Sequence, residues 1–171
     1  MRKLDNLQKA RCLIAFFMAA LVVSGATAFP VESELRFFCW LFGVNAETAK
    51  EAPALLGGMY SLKESFSRVN RDFPQFAYGY DWLAFAHLVI AILFIGPFRD
   101  PVRNKWVIQW GMIACVAIVP LAFVCGQVRQ IPVYWTLVDC SFGVFGIVPL
   151  VLCMRYVKLL EKEGSPCAHR K

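Results

Sequence analysis

The sequence predicts an all-α integral membrane bundle of four transmembrane helices, with a small helical cap between the first and second. Three observations carry that prediction. First, 58% of the 171 residues are hydrophobic and 18% charged, with a mean hydropathy of +0.54; a soluble domain runs nearer ~25% charged and ~45–50% apolar. Second, four long runs almost free of charge, residues 12–29, 82–98, 106–126 and 131–154, each approach the ~20 residues that a helix needs to cross a bilayer core. Third, none alternates as a barrel strand does, and lipid offers no partner to an open backbone, so the runs must be helices. The chain reads as a single membrane domain.

The first run follows a basic amino end and closes on Ala26-Thr27-Ala28. That is also the pattern of a signal peptide cleaved after Ala28. A retained helix is the preferred reading, because apolar character continues to Phe29 and three helices make a thin bundle.

Residues 30–80 form the only sizeable segment outside the runs. Phe37-Phe38-Cys39-Trp40-Leu41-Phe42 is too short to span and too apolar to be solvated, so it is expected in the outer headgroup layer. Asn45 is suited to cap a short helix that Pro53 interrupts. Leu55, Met59, Leu62, Phe66 and Val69 then recur as one apolar stripe, which predicts a surface helix. The segment from Asp72 to Tyr80, with Pro74 and Gly79, reads as a turn-rich descent into the second run.

The connections Arg99 to Lys105 and Gln127 to Gln130 are short, which makes runs two, three and four antiparallel neighbours. Twelve of the 18 basic residues lie in the amino end, the Arg99 loop and the tail 155–171. These segments are therefore expected in the cytoplasm, with both termini inside if the first helix is retained, and an inner cell membrane is the expected location. The same placement accounts for the net charge of +6 and pI near 9.0 without a nucleic acid partner. Aromatic residues mark the borders: Trp82, Tyr134 and Trp135 outside, Trp106 and Trp110 inside.

Inside the runs only His87 and Asp139 are strongly ionisable. An intramembrane carboxylate costs ~3 kcal/mol on insertion scales and is expected to face protein. At about 1.5 Å per residue, His87 lies about 9 Å below Asp81 and Asp139 about 10 Å below Pro132. Ala84, His87 and Ala91 share one side of the second run, and Thr136, Asp139, Gly143 and Gly146 one side of the fourth. Small residues let helices approach closely, and Gly111 with Cys115 offers the third run the same opportunity. Pro120 stands where it would open the third helix near the polar pair. Two readings of His87 and Asp139 stand: a proton-titrating or ligand-orienting pair, and a structural interhelical hydrogen bond with Thr136 close by.

The seven cysteines include no Cys-x-x-Cys pair, which excludes thiol oxidoreductase chemistry of that type. Only Cys39 and Cys125 fall on the outer side, where a disulfide persists. One His within the spans does not furnish bis-His haem ligation. There is no His-Glu-x-x-His, phosphate loop or Gly-x-Ser-x-Gly. No cofactor and no metal are therefore expected.

The leading functional reading is a non-enzymatic multi-pass protein that binds a hydrophobic ligand or serves as an accessory or assembly subunit of a membrane-protein partner. The second is a small transporter or proton-linked carrier using Asp139 and His87, which at this size would work as a homo-oligomer. The third is a membrane enzyme acting on lipid with the same two residues as acid and base.

Overall fold

The computed structural model describes residues 5–163, and every regular element among them is helical. In chain order these are α1 (Asn6–Ala28), α2 (Val31–Leu41), a 3-10 turn at Thr48–Lys50, α3 (Ala54–Asp72), α4 (Pro74–Leu93), α5 (Ile95–Arg99), α6 (Lys105–Val128) and α7 (Val133–Glu163). Four stretches are long and apolar enough to cross a membrane: α1, α4 continued by α5, α6 and α7. Only 22% of the apolar window is buried in the first three and 33% in the last, so most of their side chains face outward, as helices surrounded by lipid do. Arg2 and Lys3 of the basic amino end, and Cys167, His169, Arg170 and Lys171 of the tail, lie outside the described residues.

The helices are longer than the apolar runs. α1 begins at Asn6 and α7 continues to Glu163, because long basic side chains reach water from a helix that has not yet ended. The expected turn-rich descent before the second span is a correction. α4 is helical from Pro74, whose missing N–H costs nothing in the first turn and whose fixed φ suits it. Pro97 lacks the N–H that would bond to the Leu93 carbonyl, and the helix breaks there into α4 and α5 at Phe94. Pro120 leaves α6 continuous.

Contacts group the chain into two compact units, Met1–Ala20 with Ile90–Lys171, and Leu21–Val89. In the first, α6 and α7 form a hairpin closed by a tight turn. The N–H of Ile131 donates to Gly126 at 2.9 Å and that of Gln130 to Gln127 at 3.2 Å, the paired bonds of a Schellman motif, with Gln130 in the left-handed region at φ 56°. Glycine sets the hairpin's closeness: a methyl group on Gly143 would lie 2.5 Å from the carbonyl oxygen of Cys115. Lys105 pairs with Glu161 where the two helices end together. The first part of α1 packs on α7, with Ala10 and Ile14 fully buried, Cys153 Sγ 3.7 Å from the Ala10 carbonyl and Lys9 over the Tyr156 ring. Arg11 donates to the carbonyls of Phe98 and Arg99 at 3.1 and 3.0 Å, satisfying acceptors that the end of α5 leaves open.

In the second unit only Phe29 and Pro30 separate α1 from α2, and only Phe73 separates α3 from α4. A methyl on Gly25 of α1 would lie 2.8 Å from the Ala84 carbonyl of α4, so these helices also touch through backbone. α2 ends in a second Schellman motif, Val44 to Cys39 at 2.8 Å and Gly43 to Trp40 at 3.1 Å, with Gly43 at φ 65°. Asn45 Oδ1 accepts from the N–H groups of Glu47 and Thr48, both at 2.9 Å, and so closes the turn that leads into the 3-10 segment, whose own N-cap is Glu47. α2 and α3 pair through the Glu32 carboxylate, which accepts from Ser67 at 2.6 Å, from Asn70, and from Arg36 at 2.9 Å.

Candidate functional site

The polar residues of the spans take up separate environments. His87 is half-buried on α4, with its Cβ 3.1 Å from where a methyl on Gly25 would sit. Its Nδ1 lies 2.9 Å from the Leu83 carbonyl. A carbonyl only accepts, so Nδ1 is the donor of this contact. Thr136 is buried, and its Oγ1 would touch a methyl on Gly126 at 2.7 Å.

Asp139 is exposed. The buried line of α7 at this end runs Thr136, Cys140, Gly143, four and then three residues apart, and Asp139 falls just outside it. His87 and Asp139 belong to different compact units.

The small residues meet helix backbones or bulky side chains. Ala84, Ala91, Gly111 and Gly143 are buried; a methyl on Gly111 would lie 2.8 Å from the Phe94 ring, and one on Gly146 would lie 2.9 Å from Cys115 Sγ. Of the aromatic residues, Trp82, Trp106 and Trp110 are exposed, while Tyr134 and Trp135 stack at 5.5 Å and are half-buried. The six described cysteines, Cys39 and Cys125 included, are free thiols. Among the described residues no three His, Cys, Asp or Glu side chains come together as metal ligands.

A cleft of about 260 Å³ in the second unit was not legible beforehand, because its wall is drawn from four helices and the α1–α2 junction. Phe29, Glu32, Phe66, Asn70, Tyr80 and Asp81 line it, and the Phe66 and Tyr80 rings stack at 4.9 Å. The donors on Glu32 hold its carboxyl below the usual range, the Ser67 hydroxyl and the Asn70 amide first and Arg36 after them. With both oxygens engaged, Glu32 latches α2 to α3 rather than standing open to a ligand. Of the seven acids between residues 30 and 81, Glu32 and Asp81 are the two that line it.

The chain matches no known family model, no curated protein and no solved structure.

Proposed function

We propose that this protein is a non-enzymatic accessory subunit of a larger membrane assembly, with both termini in the cytoplasm of an inner cell membrane. The supporting observation is Asp139, exposed within an apolar spanning helix and followed one turn on by the exposed ring of Phe142. A carboxylate left to lipid costs ~3 kcal/mol or more, and such residues are retained where another group satisfies them. A partner helix bringing a donor or a cation to that depth does so.

The test places a photo-crosslinking phenylalanine analogue at Phe142 and, for comparison, at the equally exposed Ile113 of α6 in native membranes. A discrete protein adduct from position 142 that disappears with Asp139→Leu supports the reading. Adducts with lipid alone, or only with a differently tagged second copy, overturn it. The orientation is checked with reporters after Lys171 and between Arg99 and Lys105, which should both register cytoplasm, and one near Lys50, which should register the outside.

A further inference from the structure

α2 presents two opposite faces. Leu35 and Cys39, four residues apart, are buried on the side where Glu32 meets Ser67 and Asn70 of α3. Across the helix Phe37, Trp40 and Leu41 stand open, with Trp40 75% exposed, and Phe38 and Phe42 extend the patch. Phe37 and Trp40 pack ring to ring at 6.0 Å, so the face is one continuous aromatic surface. The acids Glu32 and Glu34 are confined to the first turn, and the apolar face fills the remaining turns.

The chain connections bear on what lies against this face. α2 begins two residues after the spanning helix α1 ends, and α3 ends one residue before the spanning helix α4 begins. Because the start of α2 meets the end of α3 through Glu32, Ser67 and Asn70, both connections leave the pair at one end, which is thereby held at the bilayer border. At about 1.5 Å per residue α2 is about 16 Å long, so no part of its aromatic face lies farther than that from the end held at the border. Charge is compatible: a groove of about 390 Å³ beside Trp40 is lined by Arg36 and Lys63, which pair with Glu32 and Glu64 at 2.9 Å each and still have N–H donors to spare for lipid phosphates.

We propose that α2 docks into the headgroup and acyl boundary of the bilayer that the chain itself spans, with Phe37, Trp40 and Leu41 immersed and Arg36 and Lys63 at phosphate level. The Glu32 latch fixes which side of α2 faces lipid, because rotating the helix would break the bonds to Ser67 and Asn70. A helix docked in this way sits about 5–10 Å into the boundary. This goes beyond the accessory role, which concerns α7.

The full chain is reconstituted in phosphatidylcholine–phosphatidylglycerol nanodiscs, with Trp82, Trp106, Trp110 and Trp135 replaced by Phe so that Trp40 alone emits. Lipids brominated high on the acyl chain should quench Trp40 more than lipids brominated near its end, and aqueous iodide should quench it little. Iodide quenching without bromolipid quenching overturns the proposal. Shielding from both also overturns it, since protein rather than lipid then covers the face. Should the fourfold replacement not fold, the difference between the wild type and Trp40→Phe gives the same reading in a chain that keeps its other tryptophans.

Discussion

The Ser67 hydroxyl of α3 donates to the Glu32 carboxylate of α2 at 2.6 Å, and Asn70, three residues on, donates to the other carboxylate oxygen. Both donors favour the ionised acid, so its folded value lies below the ordinary 4.5. A lowered value means that the bond stabilises α2 on α3 above the ordinary value and is lost as pH falls through the folded one.

Hydrogen exchange of the α3 amides, corrected for the intrinsic rate that itself slows as pH falls, should therefore show protection declining from about pH 4.5 downwards in the wild type. Glu32→Gln should remove that dependence and weaken the pair by about 1–2 kcal/mol at neutral pH. A wild-type profile flat into acid would show that the carboxylate does not hold the two helices.

Gly143 answers to a different constraint, the approach of α6. Its replacement by Ala puts a methyl 2.5 Å from the Cys115 carbonyl, where backbone must move, and should cost about 1–3 kcal/mol in detergent. Gly79→Ala is the control, since nothing lies within 4 Å of a methyl there. Equal melting points for the two variants would mean that the hairpin is looser than its geometry.

The spans were legible because an apolar run of this length has one physical outcome, and the cap helices because α3's stripe repeats at helical spacing. What misled was punctuation and angle. Pro74 and Gly79 read as turn residues, yet proline at a helix start is compatible with the helix, and Gly79 costs only propensity. Asp139 shares a half-turn with Thr136 and Gly143 on paper. The line buried against α6 runs through Thr136, Cys140 and Gly143, and its choice of Cys140 depends on where α6 lies and not on α7's own pattern. The cleft at Glu32 needed tertiary contacts between residues 35 to 38 positions apart, which periodicity does not report.

The two Schellman turns differ in one residue type, and that difference is measurable. Gly43 takes the left-handed position after α2 without strain, whereas Gln130 takes it after α6 at φ 56° with a side chain attached. Gln130→Gly should stabilise the α6–α7 hairpin by about 1 kcal/mol, and Gly43→Ala should destabilise the cap by a similar amount. Thermal unfolding of the purified variants reads both, and a Gln130→Gly that melts lower would show that the Gln side chain contributes more than its backbone costs.

Asp139 separates docking from folding. Its carboxylate is exposed, so the purified chain should not depend on it: Asp139→Leu and Asp139→Asn should each melt within about 0.5 kcal/mol of the wild type in detergent. A carboxylate that closed an internal hydrogen bond would behave otherwise, because Leu would strand the donor at a cost of about 1–3 kcal/mol. In native membranes the two variants should part. Asn keeps the size and an acceptor oxygen, so the assembly should survive in part, whereas Leu keeps neither and should release the chain as a smaller species on a native gel. The stability measurement is the sharper of the two, since it needs no knowledge of the partner. An Asp139→Leu chain that unfolds earlier in detergent would return the residue to the protein's own interior and remove the basis for the accessory role.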